Sequence, residues 1–457
     1  MKIIIIGAGQ VGGSLAEILT QEHHDITLID LNKDRLNYYA HRLDIRTLHG
    51  HGSYPGILRK AGADTTDMLI AVSDQDEINI VAAQVAYSLF NIPYKLARIR
   101  SRHYFVRKDL FGLDHIPIDC IVSPEQIVSR LVDDLMRYVG ALRVMDFAEG
   151  QLKLLVCRVS PRAKAVGSNC ADLQAAHEAS AFRVVSIRRS GCVYTDLTDV
   201  MFQANDQVYV LVPTVAAQAV FALFSQTTTV VRRVMVAGGG NIGGSVARSL
   251  QEHYQVKVID RNRSTCEYLA GKLRATTVLQ GDMHDANLLR DENVENMDAF
   301  LALSDDDAAN IVAAIQAKQL GAGFTYALIN RQDYVDIIDS GAIDVMLSPS
   351  AATIGSILAY VRQGDIKAVY PIQRGAAEIL EAVVHGDKMT SKLVGRTICQ
   401  KLMPSSVRLV AIVRDDSYFF DVEQVEIAAK DHLIFYLSDK RKVHDLEKWL
   451  QVSSGFF

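Results

Sequence analysis

Two glycine turns stand far apart in this sequence of 457 residues. The first is Gly7-Ala8-Gly9-Gln10-Val11-Gly12, and the second is Gly238-Gly239-Gly240-Asn241-Ile242-Gly243. Each follows an apolar run and opens a helical pattern, and an acidic residue, Asp30 or Asp260, closes the next apolar run. This is the pattern of dinucleotide chemistry. Gly7 and Gly238 allow the tight turn, Gly9 and Gly240 let the backbone approach a pyrophosphate, and Gly12 and Gly243 let helix and strand pack closely. Free amides at a helix N-terminus hold phosphate charge. An aspartate at the end of the second strand accepts ribose hydroxyls and repels a 2′-phosphate, so NAD or NADH is expected rather than NADP. A ligand-free strand–helix connection is the plainer alternative. The occurrence of the full context twice weighs against it.

Other candidates flank the same crevice. Ser73-Asp74-Gln75-Asp76 and Ser304-Asp305-Asp306-Asp307 follow the fourth apolar run of each region, and the Ser-x-x-Asp spacing predicts a capping box that starts a helix. Their position puts Ser73, Asp74, Ser304 and Asp305 at the ligand's edge. Consecutive residues of a helix start do not converge on one ion, so no metal site is expected at Asp305–Asp307. His49-Gly50-His51-Gly52 has no second ligand cluster at metal spacing and is taken as a loop facing phosphate or ribose. Arg98 ends the fifth strand and can reach a phosphate bidentately; a solvated strand-end cation is the alternative. The second region has Leu328 and Asn330 there, so the two sites are not expected to be equivalent.

The elements that would position these residues form a repeat. At an offset of 231, Gly7 meets Gly238, Gly50 meets Gly281, Ser73-Asp74 meets Ser304-Asp305, and the string NIVAA recurs at Asn79 and Asn310. Such a shared register marks an internal duplication. In the first copy, strands are expected at Lys2–Ile6, Ile26–Ile29, Arg46–His49, Met68–Val72, Tyr94–Ile99 and Asp119–Val122, with helical patterns between them, and the second copy repeats the series. Alternation of this kind predicts an α/β fold, a Rossmann-like doubly wound parallel sheet in each copy. After each copy, short strands predict a small α+β domain. The expected domains are 1–135, 143–227, 232–360 and 367–453, the first and third binding nucleotide.

Composition narrows the class. A formal net charge of -5 argues against a nucleic-acid surface. Cys120, Cys157, Cys170, Cys192, Cys266 and Cys399 show no C-x-x-C spacing, and they suit a reducing cytosol. The opening run Ile3–Ile6 is too short for a secretory signal. The longest apolar run, Val208 to Phe224, is broken by Pro213 and is expected to be a strand, a break and a helix. A membrane role would then come through a partner.

These residues resemble the regulator-of-conductance, or K⁺-transport nucleotide-binding (RCK/KTN), family over essentially the whole chain. The motifs are GAGQVG with LID, the S-D-x-[DE]-x-x-N segment at Ser73–Asn79, and LAR at Leu96–Arg98. The resemblance implies that Gly7, Gly9, Gln10, Val11, Asp30, Ser73, Asp74 and Arg98 line one nucleotide pocket. Gly238, Gly240, Asn241, Ile242, Asp260, Gly281, Asp282, Ser304 and Asp305 would line the other. It implies NAD or NADH as ligand, with ATP and ADP as further ligands. It also implies a cytoplasmic, peripheral ring of four chains at the inner face of the cell membrane, docked on an integral-membrane potassium-conducting subunit. The chain departs from the family where Gly50-His51-Gly52 replaces the usual Gly-Asp and where the second copy lacks the strand-five arginine. Copy one is therefore expected to hold phosphate-rich ligands better.

Two other functions compete with a ligand-sensing regulatory subunit that has no catalytic residues. An NAD-dependent oxidoreductase would need a proton-transfer group beside the nicotinamide, yet the histidines mostly do not recur at matching positions. A scaffold with vestigial pockets would bind no adenine nucleotide.

Overall fold

The computed structural model describes residues 1–105, 107–112, 114–177, 181–225, 230–331, 334, 341–362, 365–372, 376–398, 403–404, 406–439 and 442–450. Cys399 and the expected domain limits at 227 and 453 lie outside them.

Copy one has strands β1 (Lys2–Ile6), β2 (Asp25–Asp30), β3 (Arg46–His49), β4 (Met68–Ala71), β5 (Tyr94–Arg98) and β6 (Cys120–Val122). They form one parallel sheet in the order β3-β2-β1-β4-β5-β6. Helices α1 (Gln10–Gln21), α2 (Lys33–Ala40), α3 (Pro55–Lys60) and α4 (Asp76–Phe90) make the crossovers. Ile3, Ile4, Ile5 and Ile6 are all buried, as a strand covered by helices on both faces requires. Helix α5 (Pro124–Arg137) then leaves the sheet.

The next segment is an antiparallel five-stranded lobe. Strands β7 (Ala141–Phe147), β8 (Leu152–Arg158), β9 (Arg183–Arg189), β10 (Cys192–Tyr194) and β11 (Gln207–Pro213) lie in the order β10-β9-β11-β8-β7, with helices α6 (Cys170–Ala175) and α7 (Ala217–Phe224). Pro213 is not a break before the helix. It is the last residue of β11, paired with Leu152, and Thr214–Ala216 form a short 3₁₀ turn before α7.

Copy two repeats the plan. Strands β12 (Arg233–Ala237), β13 (Gln255–Asp260), β14 (Thr276–Gln280), β15 (Ala299–Ala302), β16 (Phe324–Leu328) and β17 (Val345–Leu347) take the order β14-β13-β12-β15-β16-β17. Helices α8 (Asn241–Leu250), α9 (Arg263–Lys272), α10 (Ala286–Asp291) and α11 (Asp307–Gln319) accompany them. Helix α12 (Pro349–Val361) leads to the second lobe. That lobe holds β18 (Ile366–Ile372), β19 (Ala377–Val383), β20 (Val407–Arg414), β21 (Ser417–Phe419) and β22 (His432–Leu437), ordered β18-β19-β22-β20-β21, and ends in α13 (Val443–Leu450).

Compactness does not follow chain order. One unit is Met1–Ile127 with Pro349–Gln363, and the other is Val128–Ser348 with Gly364–Phe457. In the first, α12 lies along α1. Ser350 Oγ donates to Gln10 Oε1 at 3.3 Å, and twelve residues further along both helices Arg362 pairs with Glu22. Equal intervals mean the helices run parallel. Arg362 is 2% exposed and Glu22 8%. In the second unit α5 packs on α8: Ser129 Oγ meets Ser245 Oγ at 3.0 Å, and Ser249 Oγ donates to Asp133 at 2.6 Å. The helix that ends each copy therefore packs on the first helix of the other.

The lobes share a core within the second unit, where Phe147, Leu154 and Leu211 meet Ile379, Val410 and Ile434. Each lobe has a buried aspartate with a bidentate arginine. Arg189 holds Asp206 at 2.7 and 2.8 Å, and Arg414 holds Asp431 at 2.7 Å twice. Among the described residues no helix is long and apolar enough to cross a membrane.

Candidate functional site

Each crevice opens where the strand order reverses, at the carboxyl ends of β1 and β4 or of β12 and β15. Gly7 sits at φ +101°, and a side chain there would come within 3.0 Å of the Ser73 backbone nitrogen. Gly238 matches it at φ +100°, with Ser304 N at 2.7 Å. The chain thus needs glycine for both conformation and space. A Cβ on Gly12 would lie 1.8 Å from the Gly7 carbonyl oxygen, and one on Gly243 would lie 1.8 Å from that of Gly238.

The middle glycines differ. Around Gly9 the nearest atom to an added Cβ is Arg35 Nη1 at 4.0 Å, and around Gly240 nothing lies within 4 Å. No protein atom requires glycine at these two positions. The open space lies at the start of α1 and α8, where a pyrophosphate would approach unpaired amides. The residues present fit a dinucleotide.

The aspartates are oriented before any ligand arrives. Asp30 Oδ2 accepts from Ala8 N at 2.6 Å and Oδ1 from Asn32 N at 2.7 Å. Asp260 accepts from Gly239 N and Asn262 N, both at 2.7 Å. Each carboxylate oxygen keeps a second lone pair for a ribose hydroxyl.

The expected capping boxes are absent. Helix α4 begins at Asp76 after Gln75, which makes no side-chain cap, while α11 is capped by Asp306, which accepts from Ala309 N. Ser73 and Ser304 point elsewhere. Ser73 Oγ donates to Asn79 Oδ1 at 2.8 Å and Ser304 Oγ to Asn310 Oδ1 at 2.7 Å. Asn79 also donates to the Arg98 carbonyl, and Asn310 to that of Leu328. The recurring asparagine therefore ties the end of the fourth strand to the end of the fifth. The last acid of each Ser-x-x-Asp string does the same job one step further on. Asp76 accepts from Arg100 N and Ser101 N, and Asp307 from Asn330 N and Arg331 N. Sequence reasoning missed these roles, although the repetition of Asn79 and Asp76 in copy two was a signal for them.

These bonds also fix which residue replaces the arginine. Arg98 and Leu328 occupy equivalent places, and Leu328 is buried and neutral. Arg98 is half-buried, and its Nε is buried with no hydrogen-bond partner. Burial, with Arg100 nearby, presses its pKa below the ordinary value. A cation held this way is relieved by an arriving anion.

The loops after the third strands differ as well. His51 Nδ1 pairs with Ser53 Oγ at 2.8 Å and its ring stacks on Tyr54 at 4.4 Å. In copy two Asp282 pairs with His284 Nδ1 at 2.8 Å, beside Gly281. Among the described residues no three metal-ligating side chains converge. Burial pushes the thiol of Cys120 up to about 11 and those of Cys157 and Cys170 up to about 12, whereas Cys192 is exposed.

Comparison with known proteins fits this paired geometry. The TrkA-N domain family matches residues 3–124 and again 234–349, the two parallel-sheet regions. The Trk system potassium uptake protein TrkA of Halomonas elongata is 41% identical over 457 residues, all of both chains. The chain belongs to the TrkA family of Trk system potassium uptake proteins. Other TrkA proteins, from Vibrio alginolyticus and Haemophilus influenzae, are 40% and 39% identical, again over all of both chains. The TrkA fold also resembles solved structures. One is described as the GsuK RCK domain, with a TM-score of 0.62, 16% identity, and 98% of this chain and 94% of that one covered. Another is described as the GsuK channel bound to NAD, with a TM-score of 0.60, 17% identity, and 98% and 78% covered.

Proposed function

We propose that this TrkA-family chain is the cytoplasmic nucleotide-sensing subunit of a potassium uptake system. In this reading it is peripheral to the inner face of the membrane and gates a TrkH-like potassium-conducting subunit as a homotetrameric ring. It binds NAD or NADH, and in copy one ADP and ATP, and it performs no catalysis. The observation that carries the reading is the pair of glycine turns whose middle glycines face open space. Support also comes from the family and from the NAD-bound channel of like fold.

The chain's own residues would act as follows. Amides at the start of α1 or α8 receive the pyrophosphate, and Asp30 or Asp260 takes the ribose. In copy one Arg98 takes a further phosphate. Ser73, Asp74 and Gln10 line that pocket, while Ser304, Asp305, Asn241 and Ile242 line the other with Gly281 and Asp282. Gln10 touches Ser350 of the exchanged helix, so a shift of α1 on binding is felt by a helix covalently joined to copy two. Gating follows only if a ligand prefers one ring shape over the other.

Calorimetric titration of the full chain with NAD, NADH, ADP and ATP tests this. Asp30→Ala is expected to remove one class of site and Asp260→Ala the other. Retention of both classes in the double variant would overturn the assignment, and steady turnover of NADH with an oxoacid would overturn the non-catalytic role. Arg98→Leu is expected to weaken ADP binding by roughly tenfold or more, the worth of a charge-assisted bond. The same change should leave the melting temperature of the ligand-free protein unchanged or higher, because it removes an unpartnered buried donor.

A further inference from the structure

The loop after β14 is held by a histidine in a way that copy one does not repeat. His284 Nδ1 lies 2.8 Å from Asp282 Oδ1, and His284 Nε2 lies 3.1 Å from the Ala309 carbonyl oxygen on α11. Two further bonds involve the His284 backbone. Its N–H donates to Asp282 Oδ1 at 2.9 Å, and its carbonyl accepts from Gln316 Nε2, also on α11, at 3.1 Å. The loop carrying Gly281 and Asp282 is thereby joined to the helix that follows Ser304 and Asp305. In the nucleotide reading these are two walls of one pocket.

The chemistry of the two partners fixes the state of the ring. A carbonyl oxygen can only accept, and so can an ionised carboxylate. The backbone N–H of His284 and then its ring hold the Asp282 carboxyl below its usual range, so it is ionised near neutral pH. A neutral imidazole has a single N–H and cannot donate to both oxygens. The two ring bonds coexist only in the imidazolium.

The other charged groups on the elements around it have partners of their own. Asp285 accepts from Asn287 N and Leu288 N, Asp306 from Ala309 N, and Asp307 from Asn330 N and Arg331 N. Asp305 precedes these on the same turn, and Arg261, after β13, adds a positive charge that acts on Asp282. Of these residue types only histidine ordinarily changes charge between about pH 5 and pH 8.

The repeat supplies an internal control. At the offset of 231, His51 stands where Asp282 does, Ser53 where His284 does, and Ile78 and Val85 where Ala309 and Gln316 do. His51 Nδ1 meets Ser53 Oγ at 2.8 Å. A hydroxyl donates or accepts as its partner requires, so that pair survives either state of the His51 ring. Val85 has no side-chain donor to replace Gln316.

We propose that His284 is a proton-operated positioning residue of the copy-two pocket. As imidazolium it bridges Asp282 to α11 and holds the loop against the helix. As imidazole it keeps one ring bond, and the bridge opens. Nucleotide affinity in copy two therefore falls as rising pH removes the proton. This inference rests on reading copy two as a nucleotide pocket.

Two measurements on the full chain test it. NAD is titrated by calorimetry at pH 6 and pH 8 into the Asp30→Ala protein, which leaves copy two, and into the Asp260→Ala protein, which leaves copy one. A loss of roughly threefold to tenfold is expected in the first as pH rises, the worth of about one hydrogen bond, with no comparable change in the second. His284→Gln in the Asp30→Ala background should bind more weakly and equally at both pH values. Hydrogen exchange of the loop at residues 281–285, corrected for the intrinsic effect of pH, is read in the ligand-free chain. Protection should fall between pH 6 and pH 8 in the parent and stay constant in His284→Gln. Failure of copy two to bind NAD at either pH would overturn the nucleotide reading, and exchange then decides the bridge by itself. Loop protection that does not change with pH, or a pH-dependent NAD affinity that survives His284→Gln, overturns the proposal.

Discussion

Arg362→Leu should destabilise the unit it closes by about 3–5 kcal/mol, the usual result of stripping one partner from a buried ion pair. The guanidinium is almost wholly buried against Glu22, which is itself 8% exposed. Removing it leaves a desolvated carboxylate. The double change Glu22→Leu/Arg362→Leu should recover most of the loss, because no charge is then buried. Chemical denaturation of the three proteins measures this. Equal losses in the single and double variants would mean the pair contributes by packing alone.

The second large effect separates folding from binding within one turn. Gly12→Ala places a methyl 1.8 Å from the Gly7 carbonyl oxygen. That collision is with backbone, so it should exceed the about 1–3 kcal/mol typical of an overfilled core, and it should abolish nucleotide binding in copy one. Gly9→Ala meets nothing closer than 4.0 Å. Its melting temperature should match the parent, while its nucleotide affinity falls because the methyl occupies the ligand's approach. Gly243→Ala and Gly240→Ala should repeat the contrast in copy two. A Gly9→Ala protein that binds as tightly as the parent would remove the pyrophosphate from this position.

The sheets were legible because each strand is a short apolar run closed by a polar or glycine punctuation. Lys2–Ile6 and Arg46–His49 match the observed β1 and β3, and the other expected strands of copy one differ from the observed ones by one residue at an end or at both. Glycine spacing with a trailing aspartate was equally readable, since the steric need for Gly7 and Gly12 is local. What could not be read was partnership. Nothing in the sequence of α12 says that its apolar face seats on α1 rather than on the sheet it has just left. The capping-box expectation failed for a related reason. Ser73 had a better partner in Asn79, six residues away, and Asp76 had two amides beyond the next strand. A cavity between the lobes lay outside sequence reasoning, because its lining comes from segments far apart in the chain, such as Arg183 and Arg408.

The mutual loan of α5 and α12 has a consequence for assembly. Neither half holds its own closing helix, so a chain divided between the halves would yield two fragments, each with an empty seat and a stray helix. Such fragments would pair with each other, or with copies of themselves, as separate molecules do when they swap elements. Joined in one polypeptide, the same event becomes unimolecular, and its yield no longer falls on dilution. The cost is kinetic. Contacts of the exchanged helix, such as Gln10 with Ser350 and Glu22 with Arg362, span 340 residues, so closure must wait until that much of the chain is present.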